Sequence, residues 1–320
     1  MPSSTLPVLV EIVRSGVVEG RHRGSVLALG ADGEVDWAVG EVEAPILPRS
    51  ANKPIQAAVM VGLGLDLTDD LLALGCASHS GEPFHVEGVR RILAGAGLAE
   101  STVRTPPGWP LEDRVALDLA RAGGGPTRLH MNCSGKHAAM LATCVAQGWD
   151  TATYLETSHP LQQAIVAGFT GFPGEPTPVS VDGCGAPLLS ASLTGLARAF
   201  ARLATASAGP AARVAAAMRA FPQYVSGSQR DERDLHQAVP GLLGKAGTEA
   251  VYVVALPDGR AWALKVEDGS PRARPVVMAA ALERSGLTTE PGVDAALVRT
   301  TGRHDLYGAG AVVGGLRAVI

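Results

Sequence analysis

The sequence predicts an α+β protein in which strands from both ends of the chain form one antiparallel sheet around a large helical insert. Two observations lead to this prediction. Short runs in which apolar and polar residues alternate, or that are rich in residues favouring strands, lie near the two ends of the chain. The middle is rich in Ala, Leu and Val at helical spacing and is divided by loops containing Pro and Gly. A chain of 320 residues is long enough to bury a large core around such a sheet.

The N-terminal strands come first. Residues 7–14 alternate like a strand, and residues 25–29 and 35–39 continue as two more strands joined by the turn sequence Gly30–Gly33. The chain therefore opens with a short antiparallel meander.

The helical insert begins near Ser50. The pattern predicts helices at 52–63, 69–74, 83–96, 111–122, 136–147, 160–170, 189–206 and 211–220. Loops rich in Pro and Gly are predicted at 105–110, 123–126 and 172–178.

The C-terminal part returns to strands. Strands are predicted at 251–256, 261–266 and 311–320, with a helix at 275–286. We therefore expect a sheet region made of residues 1–48 and 240–320, and a mainly helical region at 49–239. The active site is expected at the cleft between these regions, where pockets tend to form.

Composition excludes several classes of function. The net charge is −4 and no basic tract is present, so nucleic acid is not an expected partner. No apolar run reaches the ~20 residues that span a bilayer, so a membrane is not expected either. The first residues lack the features of a signal peptide, and four cysteines do not form a disulfide framework; a cytoplasmic protein is expected.

A first candidate site is the pair Ser50 and Lys53, three residues apart at the start of the first predicted helix. Helical spacing places both side chains on one face, where the lysine amine can take the proton of the serine hydroxyl. The alternative is that Ser50 only caps the helix and Lys53 is solvated.

A second serine, Ser78, lies in a run of small and polar residues that suggests a tight loop entering a pocket. The alternative is that Ser78 or Ser80 caps the helix beginning near Pro83. Lys265 lies inside an apolar strand, either on its solvent face or turned into the cleft, and periodicity leaves that choice open. The segment Lys245–Gly247 either lines the cleft or ends a strand.

Two cysteines and a lysine form a third group. Cys133 and Cys184 are potential zinc ligands from separate loops, with Lys136 close to the first cysteine. His137 and Asp182 lie close enough in sequence to complete or support such a site. Spacing alone favours the alternative, a helix cap with Cys133 buried.

Read in order, these segments resemble the class 3 L-asparaginases, the rhizobial-type asparaginase II family. The matching segments are Arg49-Ser50-Ala-Asn-Lys53-Pro-Ile-Gln56, Cys76-Ala-Ser78-His79-Ser80, Asn132-Cys133-Ser-Gly-Lys136-His137, Asp182-Gly-Cys184-Gly, Lys245-Ala-Gly247 and Lys265-Val-Glu-Asp-Gly269. The resemblance implies a fold like that of serine β-lactamases and related glutaminases. One departure is Gly185-Ala186-Pro187, where an Asn is expected in some relatives.

The resemblance also implies two Ser–Lys tandems and a zinc site. Ser50 with Lys53 would form the first tandem, and Ser78 with Lys265 the second. Cys133, Lys136 and Cys184 would hold the zinc, which helps to hold the substrate.

We therefore predict hydrolysis of L-asparagine by an enzyme that forms a homodimer. Ser50 would attack with Lys53 as base, while Ser78 and Lys265 relay protons. The predicted substrate-binding residues are Arg49, a guanidinium suited to the α-carboxylate, together with His137 and Asp182. The alternatives are a glutaminase, a β-lactamase-like amidase, or a zinc-binding protein without turnover.

Overall fold

A computed structural model describes residues 6–170 and 179–320, and the predicted α+β class is confirmed there. The strands are β1 Val8–Arg14, β2 Val17–Leu29, β3 Val35–Val39, β4 Val179–Val181, β5 Pro187–Leu189, β6 Leu243–Gly247, β7 Val251–Ala255, β8 Ala261–Val266, β9 Asp305–Gly308 and β10 Ala311–Ala318. The helices are α1 Lys53–Gly62, α2 Asp69–Gly75, α3 Pro83–Gly95, α4 Asp113–Arg121, α5 Ser134–Gln147, α6 Pro160–Thr170, α7 Leu193–Thr205, α8 Gly209–Ala220, α9 Pro222–Val225, α10 Asp231–Ala238, α11 Ala273–Arg284 and α12 Ala295–Thr301. The loop predicted at 172–178 lies outside the described residues.

Most predicted elements are found within one to three residues of their expected bounds. The clearest error is the helix predicted at 189–206, because Leu189 ends strand β5 and the helix begins only at Leu193. Strand β2 is 13 residues long, whereas only its apolar second half was predicted. Its first half carries exposed and partly exposed polar residues, so apolar content did not reveal it. Other elements were also missed: strands β4, β5, β6 and β9 and helices α9, α10 and α12.

The chain divides into two compact units. The sheet unit contains the described residues up to Ala51 together with Ala191–Thr205 and Asp234–Ile320. The helical unit contains the described residues of Asn52–Ser190 and Ala206–Arg233. Helix α7 therefore groups with the sheet, although the sequence placed it in the helical region.

The sheet unit is built on one antiparallel sheet with the strand order β6-β7-β8-β2-β1-β10-β9, and β3 also pairs with β2. Terminal strands β1 and β10 are neighbours, which confirms the prediction that the two ends of the chain share a sheet. Helix α11 packs on one face through a core that includes Val26, Trp262 and Leu264. Helix α7 contacts the same central strands but contributes no described residue to that core, so it covers the opposite face.

The helical unit packs helices around α1, α2 and α5. Helix α2 contacts α3, α5, α8 and α9, while α1 contacts α5, α6 and α8. A Cβ at Gly135 would lie 2.4 Å from the Leu74 carbonyl oxygen, so glycine is required for α5 to approach α2 this closely. Strands β4 and β5 form a small antiparallel pair. No helix of the described residues combines the length and apolar character needed to cross a bilayer.

Candidate active site

Ser50 lies in a 3₁₀ turn, Arg49–Asn52, that leads directly into helix α1. Arg49 has φ of 52°, a left-handed conformation that is uncommon outside glycine and recurs at functional sites. The residue at the N-cap of α1 is Asn52, so the alternative that Ser50 only caps this helix is wrong. The turn instead holds Ser50 in a buried position, one residue before the first chain segment of the sheet unit ends at Ala51.

The Ser50 turn packs against the sheet through Gly247. A Cβ at Gly247 would lie 2.4 Å from the Pro48 oxygen and 3.4 Å from the Ser50 nitrogen, so only glycine fits. Gly247 pairs with Val251, and Val251 pairs with Lys265. Directly paired residues point to the same face of an antiparallel sheet. The turn that carries Ser50 therefore lies on the sheet face to which Lys265 belongs.

Lys265 is half-buried on this face, opposite the core formed with α11, which answers the question that periodicity left open. Its Nζ donates to the carbonyl oxygens of Val266 and Glu267. Burial lowers the pKa of Lys265, and the carboxylates of Glu249 and Asp268 oppose part of that shift. Its ammonium form is therefore less favoured than that of a free lysine.

Lys53 is only 1% exposed, so the alternative of a solvated side chain is wrong. Its Nζ contacts the Ala77 carbonyl oxygen, the Ser78 Oγ at 3.0 Å and the Cys133 Sγ at 3.1 Å. A neutral amine can accept the proton of the Ser78 hydroxyl and still donate to the other two groups. Lys53 thereby joins the second serine to the first cysteine.

The Ser78 loop is held by backbone hydrogen bonds on two sides. The Ser78 N–H donates to the Val225 oxygen at 3.0 Å, and the His79 N–H donates to the Asn132 oxygen at 3.1 Å. Helix α3 has Glu82 as its N-cap, so the alternative that Ser78 or Ser80 caps it is wrong. The loop has a different role, which is to place the Ser78 hydroxyl against Lys53.

His79 ties this loop to the first turn of α5. The Ser134 hydroxyl donates its single proton to the Leu129 oxygen, and the His79 Nε2 lies 2.8 Å from the same hydroxyl oxygen. The imidazole proton must therefore sit on Nε2, from which it is donated to Ser134. Burial, with the nearby charges of His85 and Lys53, lowers the pKa of His79 and keeps this ring neutral.

Cys133, Lys136 and Cys184 lie together in the helical unit. The two cysteines share one apolar cluster with Ala186, and the Lys136 Nζ lies 3.2 Å from the Cys184 Sγ. Cys133 occupies the N-cap position of α5 and is buried, which is what the alternative of a helix cap with a buried cysteine predicted. We call Lys53, Ser78, Cys133, Lys136 and Cys184 the lysine–thiol cluster.

The pKa values of the two thiols in the cluster are shifted in opposite directions. A hydrogen bond from Cys133, assisted by the Lys136 charge, holds the pKa of Cys184 far below its usual range, against the effect of burial. The same hydrogen bond, together with burial, raises the pKa of Cys133. Burial acts to lower the pKa of Lys136, but the Cys184 charge outweighs it and the pKa is raised. These shifts favour a negative charge on the Cys184 sulfur and a positive charge on the Lys136 amine.

His137 is fully buried beside this cluster, and its Nδ1 lies 2.7 Å from the Tyr154 hydroxyl. That hydroxyl also accepts the Arg104 N–H at 3.1 Å, and burial raises the pKa of Tyr154 to about 12. Tyr154 therefore keeps its proton and donates it to Nδ1, which places the His137 proton on Nε2. Burial lowers the pKa of His137, while the adjacent Cys184 sulfur opposes this shift. Sequence reasoning missed Tyr154, which is 17 residues away and carries no local signal.

Asp182 is partly buried at the turn before Cys184. The Gly183 N–H donates to its Oδ1 at 2.9 Å, and its Oδ2 lies 3.7 Å from the Cys184 sulfur. The carboxylate therefore borders the cluster, at a greater distance from the sulfur than Lys136.

The donor set of the cluster suits zinc. Two thiols and an amine lie within one buried site, and zinc accepts sulfur and nitrogen ligands in a tetrahedral arrangement with an open position. Among residues 6–170 and 179–320, no group of three His, Cys, Asp or Glu side chains is placed to hold a metal. A metal bound at this cluster would therefore need the Lys136 amine as its third donor. The ligands would first lose the protons of Cys133 and Lys136, which makes metal binding weaken as the pH falls.

The structure thus brings the predicted residues together in two groups. Lys53, Ser78, Cys133, Lys136, His137, Asp182 and Cys184 lie in the helical unit, while Arg49, Ser50 and Lys265 lie in the sheet unit. Each predicted tandem takes one residue from each unit, so Ser50 with Lys53 and Ser78 with Lys265 stay predictions. The hydrogen bond that the structure describes joins Lys53 to Ser78.

Comparison with known proteins identifies the family. The sequence model of L-asparaginase II matches residues 10–318, so the chain belongs to the L-asparaginase II family, as its motifs predicted. No curated protein sequence matches this chain.

The solved structures that match this chain share little sequence with it. A β-lactamase (Mb2281c) from Mycobacterium bovis is 16% identical, with a TM-score of 0.44 over 82% of this chain and 94% of that one. A putative β-lactamase from Bacteroides dorei is 18% identical, with a TM-score of 0.43 over 81% and 93%. Mglu in its tris and glutamate form is 14% identical, with a TM-score of 0.38 over 89% of this chain and 64% of that one.

Proposed function

We propose that this member of the L-asparaginase II family hydrolyses the side-chain amide of L-asparagine to L-aspartate and ammonia. Family membership over residues 10–318 supports amide hydrolysis. The observation that carries the chemistry is the buried Lys53 amine 3.0 Å from the Ser78 hydroxyl. Such a pair can move the proton that a serine mechanism requires.

In the proposed mechanism the Ser50 hydroxyl attacks the amide carbon, and Lys53 takes the hydroxyl proton. The tetrahedral intermediate collapses with cleavage of the C–N bond, and the proton passes to the departing nitrogen so that ammonia leaves. Water then attacks the resulting serine ester, aspartate is released and the serine hydroxyl is restored. The Lys53–Ser78 hydrogen bond gives the proton a route to a second hydroxyl, and Lys265 is proposed as the far end of this relay.

Three further residues are proposed to bind the substrate. Arg49 presents a guanidinium next to Ser50, suited to bidentate binding of the α-carboxylate. His137 and Asp182 border the lysine–thiol cluster, where the amide group would lie. A zinc ion held by Cys133, Lys136 and Cys184 would supply a Lewis acid that fixes the substrate.

The decisive experiment is ammonia release by the purified protein from L-asparagine, L-glutamine and a chromogenic β-lactam measured in parallel. We expect the highest kcat/KM with L-asparagine. Preference for glutamine or the β-lactam would overturn the substrate assignment and leave an acyl-serine amidase. Zinc uptake without turnover of any amide would overturn the enzymatic function.

The proposed assembly is a homodimer in the cytoplasm. Light scattering after size-exclusion chromatography should give twice the mass of one chain, and a monomer mass at micromolar concentration would contradict the dimer.

A further inference from the structure

Two side-chain amides at the start of α1 are buried, and each has one polar atom without a hydrogen-bond partner. Asn52 and Gln56 are each only 2% exposed. Among the described residues, neither the Asn52 Nδ2 nor the Gln56 Oε1 has a hydrogen-bond partner. Buried polar atoms of native proteins are nearly always paired, so an orphaned pair needs an explanation.

The position of the two amides gives that explanation. Asn52 and Gln56 are four residues apart and Lys53 and Gln56 are three apart, so all three share one face of the helix start. The lysine of that face reaches Ser78 and Cys133. The orphaned atoms therefore belong to the helix face that carries the proposed base.

The two orphans have opposite hydrogen-bonding character. The Asn52 Nδ2 can only donate, and the Gln56 Oε1 can only accept. An amino acid presents the complementary pair, since its α-carboxylate accepts hydrogen bonds and its α-ammonium donates them. Neutral amides suit this task because they bind a zwitterion without burying a further net charge.

We propose that Asn52 and Gln56 are specificity-determining residues that bind the amino-acid head of the substrate. The Asn52 Nδ2–H donates to the α-carboxylate, and the Gln56 Oε1 accepts from the α-ammonium. This inference rests on the proposed amidase function and restricts it to amides with a free amino-acid head. Arg49, already proposed for the carboxylate, would share that group with Asn52.

The test compares three substrates with the same reacting amide. L-Asparagine has both head groups, succinamic acid lacks the α-ammonium, and 3-aminopropanamide lacks the α-carboxylate. In the unmodified protein, kcat/KM should be roughly tenfold to a hundredfold lower for each truncated amide, the range expected for losing a hydrogen bond to a charged group.

Substitutions should erase these preferences separately. Gln56→Met should reduce the preference for asparagine over succinamic acid and leave the preference over 3-aminopropanamide unchanged. Asn52→Leu should do the reverse. Gln56→Glu keeps an acceptor for the ammonium and should retain the first preference, which controls for disturbed packing. Melting temperatures of all variants establish that they fold.

The outcomes separate this inference from the proposed function. If the unmodified protein releases ammonia from none of the three amides, the amidase function fails. A different outcome is that asparagine is hydrolysed while each variant changes kcat/KM for all three substrates by the same factor, or for none of them. In that case Asn52 and Gln56 do not bind the amino-acid head of the substrate.

Discussion

The helical unit and the sheet unit each contain a lysine and a serine of the proposed site, but they hold them differently. Lys53 in the helical unit is sealed from solvent, and its Nζ contacts the Ala77 oxygen, the Ser78 hydroxyl and the Cys133 sulfur. Lys265 in the sheet unit is half-buried and donates to two carbonyl oxygens of its own chain segment. The Lys53 amine is therefore fully enclosed by its partners, whereas the Lys265 amine, near the end of central strand β8, stays partly exposed.

This contrast favours different roles for the two lysines in the proposed mechanism. A proton acceptor has to lie within hydrogen-bond distance of the group that it deprotonates. Lys53 meets that condition for Ser78 at 3.0 Å. The structure shows Ser50 and Lys265 only as parts of one sheet face, so their roles depend on experiment.

The largest expected effect tests which unit supplies the nucleophile. Ser50→Ala should lower kcat for asparagine by more than about 10⁴-fold, because a missing nucleophile leaves only the residual catalysis of the binding site. Ser78→Ala should cost less, roughly 10²- to 10³-fold, as expected for a proton relay. Steady-state ammonia release measures both.

A matched control for these variants is Ser134→Ala, another buried serine that bonds to His79 and the Leu129 oxygen rather than to Lys53. A Ser50→Ala protein with more than roughly a tenth of normal kcat, a loss of only ~1.4 kcal/mol in the barrier, would end the nucleophile role of Ser50. A loss of more than about 10⁴-fold in Ser78→Ala, with little loss in Ser50→Ala, would transfer the nucleophile role to Ser78 in the helical unit.

The next effect tests the lysine of the helical unit. Lys53→Met keeps the length and burial of the side chain but removes the base, and should lower kcat/KM by about 10²- to 10⁴-fold. The melting temperature should not fall with it, because replacing a buried amine by an apolar group of similar shape is often tolerated. If the melting temperature of Lys53→Met falls enough to account for its loss of kcat/KM, Lys53 only stabilises the fold and is not the base.

A smaller effect is expected at the thiol end of the cluster. Cys184→Ser should remove bound zinc and raise KM by roughly tenfold to a hundredfold, the usual range for disturbing a metal site, with a smaller change in kcat. Metal analysis of protein purified without chelator measures the zinc. Cys76→Ser is the control, because Cys76 is buried and has no proposed role at the metal.

Two results would contradict the metal assignment. A zinc content near zero in the unmodified protein would remove the site altogether. Full zinc in Cys184→Ser would retain the metal but show that the ligands have been wrongly identified.

The smallest expected effect concerns the sheet unit and its pH dependence. A relay lysine takes up a proton only when it is neutral, and burial lowers the pKa of Lys265, so its neutral form appears at lower pH than in a free lysine. kcat/KM for asparagine should therefore rise with pH through the neutral range into the alkaline range. Lys265→Arg, which stays charged, should shift or flatten that rise.

The pH profile of kcat/KM can also contradict the proposed Ser–Lys mechanism as a whole. Since the reference pKa of lysine is ~10.4, a profile that is already flat from about pH 5 upward would contradict lysine as the base. An unchanged profile in Lys265→Arg would remove only Lys265 from the relay.

Much of the fold could be predicted from sequence because local patterns specify it. Turn residues and alternation located the meander at the N-terminus, and helical spacing located α1 to α6 within a few residues. Strand β6 escaped because Leu-Gly-Lys-Ala-Gly contains two glycines and a lysine, and the lysine is buried only after β7 pairs with it. Helix α7 was displaced because Leu189 and Leu193 look alike in sequence, although only the second belongs to the helix.

The sequence by itself determined the family and the α+β class, because motifs and periodicity are properties of neighbouring residues. Tertiary structure alone decided that Lys53 bonds to Ser78 and Cys133, and that Tyr154 sets the tautomer of His137. It also decided that Asn52 and Gln56 are buried with one polar atom each left unpaired. Those contacts join residues up to 80 positions apart, or depend on what covers a helix face. Such distances and coverings are fixed by packing, and no local pattern encodes them.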